Sequence, residues 1–157
     1  MNASPLELAH TLHERDPRLA FIAMREGKKK AAVTWTQFQK RGPAMPLVEQ
    51  WLDRPGYTLG VIAGQPSDRL FIFDADSDRR ADEMRERLGK YADTLTDRGA
   101  RGKRFWTRTP FPIESFGIAD LDGIGQGHLV MAPGARHPNG KTYEIVHDAP
   151  IIELPSL

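Results

Sequence analysis

The segment Leu70-Phe71-Ile72-Phe73-Asp74-Ala75-Asp76 constrains this chain more than any other. Its four leading residues, all apolar and mostly aromatic or β-branched, read as a buried strand. Residues two apart on a strand point the same way, so Asp74 and Asp76 share one face. Two carboxylates about 4 Å apart repel by roughly 1 kcal/mol in water and roughly 4 kcal/mol at an effective dielectric of about 20. Stability gives no reason to end a buried strand this way. A hard divalent cation, which favours oxygen ligands, gives one. The competing reading is that both acids cap the helix that follows.

The chain has 157 residues, enough for one domain (1–157) with a real hydrophobic core. It has no cysteine, which excludes disulfides and thiolate metal sites. No apolar run approaches the roughly 20 residues of a membrane span, and Met1 to Pro5 carries neither a charged n-region nor an apolar h-region. The expectation is a cytoplasmic protein with no membrane association. The formal charge of +1 conceals segregation. Arg98, Arg101, Lys103, Arg104 and Arg108 follow one another with no intervening acid, and Arg25, Lys28, Lys29, Lys30, Lys40 and Arg41 face only Glu26. Such runs suit a polyanion such as nucleic acid, although a solvated face produces the same pattern.

Along the chain, Ser4 and Pro5 open a helix over Pro5 to Glu14. Its His10 and His13 have ligand spacing but no acidic partner nearby, and read as surface or core-edge residues. Arg18 to Met24 reads as a strand, Ala32 to Trp35 as a short extended piece, and Met45 to Asp53 as an amphipathic helix stopped by Pro55-Gly56. Tyr57 to Ala63 and Arg69 to Phe73 are strands whose short connection predicts an antiparallel hairpin. Ala81, Met84, Leu88 and Tyr91 form the apolar stripe of a helix over Asp78 to Tyr91. Thr94 to Thr96, Arg104 to Thr107, Glu114 to Ile118 and Gly127 to Ala132 read as extended. Asn139-Gly140 signals a hairpin turn that sets Thr142 to Val146 antiparallel to an earlier strand. Ile151 to Pro155 reads as an edge strand or the start of a linker. This order predicts an α+β fold in two layers.

Three pieces carry chemistry: the Asp74/Asp76 pair, the basic loop Thr96 to Arg104, and Asp120 with Asp122 in Ile118-Ala119-Asp120-Leu121-Asp122-Gly123-Ile124-Gly125-Gln126-Gly127. Gly99 and Gly102 are expected to let the loop backbone approach a ligand, with its Arg and Lys side chains on phosphate oxygens. Three carboxylates around two divalent ions beside cationic side chains is the equipment of nucleotidyl transfer. Gly123, Gly125 and Gly127 do not form a dinucleotide loop, because no helical pattern follows them.

On these residues the sequence resembles the N-terminal bifunctional primase/polymerase (prim-pol) domain of plasmid and phage replication proteins, a branch of the archaeo-eukaryotic primases. Thr58 to Ser67 leading into Phe71-Ile72-Phe73-Asp74-Ala75-Asp76 resembles the family's first motif. Asp120, the Gly-x-Gly-Gln step, Ala132 to Gly140 and Tyr143 resemble its third. Lys28-Lys29-Lys30 ahead of Trp35, and Trp51 after Pro46, also stand as in the family. The resemblance implies an RNA-recognition-like catalytic sheet with a smaller N-terminal α/β subdomain. It implies template-directed nucleotide addition, with a DNA template and primer, dNTP or NTP, and two Mg²⁺ or Mn²⁺ ions. By motif position it makes Asp74, Asp76 and Asp120 the catalytic metal ligands. Arg101, Lys103, Arg104 and His137 would bind the nucleotide, while Arg98, Arg108, Lys28, Lys29 and Lys30 would contact nucleic acid. Family members commonly continue into a C-terminal helical primase domain and a helicase.

The chain departs from the family at Arg104, which stands where the second motif presents a histidine, and at Ala135, where a hydroxyl residue is commoner. Arginine binds a triphosphate bidentately but offers no neutral imidazole. The alternative function is therefore a degenerate prim-pol-like module that binds nucleic acid or nucleotide without turnover. A haloacid-dehalogenase-type phosphatase is a third reading. It expects Thr or Val four residues after its first Asp, where Asp78 stands, and a motif near the N-terminus, whereas Asp74 is preceded by 73 residues.

Overall fold

The computed structural model describes residues 3–118 and 121–156. Helix α1 (Pro5–Arg15) begins at Ser4, whose hydroxyl accepts the Glu7 N–H at 3.1 Å, with Pro5 in its first turn. Strand β1 (Ala20–Arg25) follows, then α2 (Met45–Leu52) and β2 (Tyr57–Ile62). β2 is the middle of a three-stranded antiparallel sheet, between β1 and β8 (Leu129–Met131). β1 and β2 are buried along nearly their whole length. The smaller sheet is thus not purely N-terminal, since its third strand comes from the C-terminal half.

The larger sheet has seven strands. Six lie in the order β6 (Phe116–Ile118), β7 (Leu121–Ile124), β3 (Leu70–Ala75), β5 (Lys103–Arg108), β4 (Thr96–Arg98) and β9 (Glu144–His147). The seventh, β10 (Ile152–Glu153), pairs in parallel with the far end of β5. Helix α3 (Asp78–Leu88) covers one face, setting Ala81 and Met84 on Ala75 and Phe105. On the other face Leu70, Ile72, Trp106 and Leu95 share one core with β1, β2, Val48 and Leu12. The arrangement is the expected α+β fold, with its large aromatics (Trp35, Trp51, Trp106) in or against the core.

The expected hairpin needs correction, as does the end of the helix over Asp78 to Tyr91. Tyr57–Ile62 and Leu70–Ala75 do not form a hairpin; among the described residues an isolated Gly64↔Leu70 bridge closes the connection, and the two strands enter different sheets. The chain is redirected by Gly64 (φ 80°) and by two successive left-handed residues, Asp68 (φ 54°) and Arg69 (φ 66°). Arg69 is held there by Asp68 and Glu153, each at 3.0 Å. The glycine-rich stretch after Asp120 also contains a strand, β7. Its glycines serve packing: a Cβ on Gly123 would lie 2.4 Å from the Phe116 ring and 2.6 Å from that of Phe71. Helix α3 stops earlier than its apolar stripe because Gly89 terminates it (φ 57°), leaving Tyr91 in a 3₁₀ turn.

Candidate nucleotidyl-transfer site

The larger sheet brings four charged side chains into one row. Asp122 on β7 is registered with Asp74 on β3, Asp74 with Arg104 on β5, and Arg104 with Asp97 on β4. Partners in register point to the same face, with Cβ atoms about 5 Å apart. This face also carries Ile72 and Trp106, so the row sits at the edge of the core it shares with the smaller sheet. Helix capping does not account for the acids, because the N-cap of α3 is Ser77, whose hydroxyl accepts the Arg80 N–H at 3.1 Å.

Charge balance along the row is uneven. Asp97 is fully buried and takes two bonds from Arg104, one of them Nε to Oδ1 at 3.0 Å, and a third from Trp106 Nε1 at 2.8 Å. Arg104 also donates to the Met131 carbonyl at 2.9 Å, and its guanidinium lies 4.0 Å from the Tyr143 ring centroid. Burial opposes the Arg104 charge, but Asp97, with Tyr143 and Asp74, offsets this and holds its pKa above the ordinary value. Asp74 is left in the opposite condition. Burial, together with Asp76, Asp122 and Asp97, raises its pKa, and Arg104 only partly counters them. One arginine faces several carboxylates, which favours a further cation here. Hard oxygen donors at Asp74, Asp76 and Asp122 suit Mg²⁺ or Mn²⁺. Among the described residues no three acidic or imidazole groups already stand close enough together to hold an ion.

The remaining residues divide into those brought to this row and those placed elsewhere. Asp76 is exposed at the end of β3, with Arg101 Nη2 at 3.6 Å; next to it Arg98 lies 3.5 Å from Asp78. Asp120 lies outside the described residues. Asp122, which the sequence pairs with it, is the third acid that the sheet places beside Asp74. His137 lies in the turn closed by Gly140, its ring 5.3 Å from Tyr143. Its Nδ1 accepts the Asn139 N–H at 3.0 Å, so in the neutral ring Nε2 carries the proton. Burial, Lys29 and Arg104 lower the His137 pKa, which sets Lys29 of the exposed Lys28–Lys30 turn and Arg104 within electrostatic reach of that ring.

Burial, strand alternation and backbone packing bear on four of the expected contacts. Arg108 cannot contact nucleic acid: it is fully buried at the opposite end of β5, paired with Asp16 at 2.8 Å and donating to the Asp68 carbonyl. Lys103, one residue from Arg104, takes the other face and lines a cavity of about 680 Å³ with Phe105, Thr96 and Arg85 beneath α3. Gly99 and Gly102 bring the loop close to the protein itself. A Cβ on Gly102 (φ 63°) would lie 1.8 Å from the Ala75 carbonyl oxygen, and one on Gly99 2.8 Å from the Tyr143 ring. Arg104, expected to bind nucleotide, is only 4% exposed and acts on the row through its charge. His10 pairs with Glu49 at 2.9 Å, and His128 is exposed.

What sequence reasoning missed was the pairing function of Asp97 and the alignment of Asp122. Asp97 precedes the basic run in sequence, and only strand register reveals that it neutralises Arg104. No helix among the described residues is long and apolar enough to cross a membrane. Comparison with curated proteins finds no match. The profile of the Prim-Pol family, bifunctional DNA primase/polymerase, N-terminal, matches residues 9–157. The match spans almost the whole chain, and the chain belongs to the Prim-Pol family, whose theme is DNA priming and polymerisation.

Proposed function

We propose that this domain transfers nucleotides to the 3′ end of a nucleic-acid strand on a DNA template, in the replication of a plasmid or phage. The observation that carries this reading is the aligned row Asp122–Asp74–Arg104–Asp97, with its excess of negative charge at Asp74. Asp74 and Asp76, completed by Asp122 or Asp120, are the residues that would hold Mg²⁺ or Mn²⁺. Divalent ions held there would supply the chemistry of lowering the pKa of the attacking 3′-hydroxyl and neutralising the leaving pyrophosphate. Arg104 favours the ionised form of Asp74, partly countering the burial and the carboxylates that raise its pKa, while its own charge is fixed by Asp97. His137 and Lys29 lie on the cationic side of the row and receive phosphate oxygens, His137 as a neutral Nε2–H donor. Arg101, exposed beside Asp76, and Arg98 with Lys28 and Lys30 extend this positive surface towards the template.

Primer extension with labelled nucleotide and Mn²⁺ tests the assignment. Asp74→Ala should lower the rate by about two orders of magnitude or more, since the ions contribute several kcal/mol to the transition state. Comparison of Asp122→Ala with Asp120→Ala identifies the third ligand as whichever loses activity similarly. Wild-type extension by Asp74→Ala would falsify the mechanism. One feature favours the non-catalytic alternative: Arg104, in the place of the second-motif histidine, is closed off by Asp97 and the Met131 carbonyl. Nucleotide binding without product at high protein concentration would support that alternative.

A further inference from the structure

The two ends of the charged row differ in access. At the Asp97 end, Arg104 is tied to the Met131 carbonyl and roofed by Tyr143, whose ring abuts Gly99. At the Asp122 end lies β6, the outermost strand, all three of whose residues are exposed. Gly117 is registered with Asp122 and so shares the carboxylate face. Strand alternation sends Phe116 and Ile118 to the opposite face. Gly117 is therefore the one residue that β6 presents on the side of the acids, and it presents no side chain. A Cβ there would lie 3.1 Å from Asp122 Oδ1. Its backbone does not explain the glycine, because Gly117 is not among the residues with positive φ.

A nucleotide and a nucleic-acid strand make different demands on such a row. The phosphates of a nucleotide are drawn to the cationic side formed by His137 and Lys29. A strand of indefinite length can approach only where no element stands in its path. We propose that the strand receiving the nucleotide reaches Asp74 across Gly117, and that the bare backbone of β6 at this point is the passage for its 3′ end. This rests on the nucleotidyl-transfer reading for the direction of approach. Gly117 acts by leaving room and positions the strand; it takes no part in the reaction itself.

Gly117→Val is the discriminating variant, since a β-branched residue suits an extended strand and no left-handed backbone opposes it. Its thermal midpoint should match or exceed that of the wild type. Affinity for a labelled primer–template, read by fluorescence anisotropy, should fall about tenfold or more, because a small displacement at a reacting end carries large consequences. Affinity for a labelled nucleotide should stay unchanged, and Gly117→Ala should fall between. In turnover, the KM for primer should rise while the KM for nucleotide holds. Unchanged primer–template affinity in Gly117→Val overturns the passage, and so does an equal loss of nucleotide affinity, which would mean that the side chain merely crowds the acids. If the wild type binds primer–template but makes no product with Mg²⁺ or Mn²⁺, the catalytic reading fails, whereas the anisotropy comparison still decides the passage.

Discussion

Strand β5 carries two buried arginines on the same face, four residues apart, and they sit in opposite surroundings. Arg108 meets Asp16 with two bonds, at 2.8 and 3.3 Å, and donates to the carbonyls of Ser67 and Asp68. It joins the end of α1 to the turn before β3, and that end of the sheet is electrically closed. Arg104 also has a bidentate carboxylate, Asp97, but the next residue along the row is Asp74, with Asp122 beyond it and Asp76 at the strand's end. The same residue type, on the same strand and face, is a structural ion pair at one end and the counter-charge of an overloaded acidic site at the other. A buried arginine therefore becomes informative about function only once its acidic neighbours are counted.

The largest expected effects test whether the two arginines are equally structural. Asp16→Ala and Asp97→Ala each leave a buried guanidinium without its carboxylate, and each should cost about 3–5 kcal/mol. Asp97→Ala should be the worse, because the Trp106 indole loses its acceptor as well. Urea unfolding measures both; a loss below about 1 kcal/mol for either would show that its arginine finds water or another acid. Next in size is Gly102→Ala. The left-handed φ of 63° and a Cβ 1.8 Å from a backbone carbonyl force the basic loop off β3, with a cost of about 1–3 kcal/mol. An unchanged midpoint would mean that the loop is not seated on the Ala75 carbonyl.

A smaller effect separates the two ends by charge balance. Burial and the neighbouring carboxylates raise the Asp74 pKa above its usual value of 3.8. The native state then holds this proton more tightly than the unfolded chain does. The group's contribution to stability is full below the unfolded pKa and is lost as pH rises through the raised native value. Asp74→Asn should therefore unfold at a higher temperature than wild type near neutral pH, by about 0.5–1 kcal/mol, the usual return from relieving a crowded charge. The advantage should disappear below about pH 3.8, where the wild-type residue is also neutral. A pH-independent difference would assign the change to packing. Asp16→Asn, at the closed end, should destabilise at neutral pH instead.

Part of the site was legible in the sequence, and what was missed turns on strand register and on local backbone conformation. A continuous apolar run located β3, an apolar stripe at helical spacing located α3 and the Arg104 to Thr107 stretch located β5, and the D-x-D step after the apolar run singled out Asp74 and Asp76. The Asn139-Gly140 turn was also legible, because its chemistry is local: Gly140 adopts φ 89° and its N–H bonds to the His137 carbonyl. Strand register was not legible. The basic run from Arg98 to Arg108 looks like one positive surface, yet period-2 alternation divides it into Arg104 and Arg108 on the core face and Lys103 on the other. Burial then removes Arg108 from any surface. The hairpin expected between β2 and β3 failed for a similar reason. Its short connection contains two left-handed residues held by side-chain ion pairs, and no turn dipeptide announces them.

The smallest expected effect is also the one that most directly separates sequence from structure. Arg101 and Lys103 are two residues apart in the same basic loop, and composition alone gives them the same part in binding a phosphate chain. The structure places Arg101 in the open beside Asp76, at 3.6 Å, and Lys103 against Phe105 beneath α3. Arg101→Ala should weaken primer–template binding severalfold and reduce the slope of log affinity against log salt by about 0.7–0.9, the release expected from one phosphate contact. Lys103→Ala should leave both affinity and slope at wild-type values, because its ammonium lies across the sheet from the acids. A slope reduced equally by both variants would mean that the lysine stem bends around the edge of β5 to the carboxylate face. The charged row would then draw its phosphate contacts from both sides of the sheet.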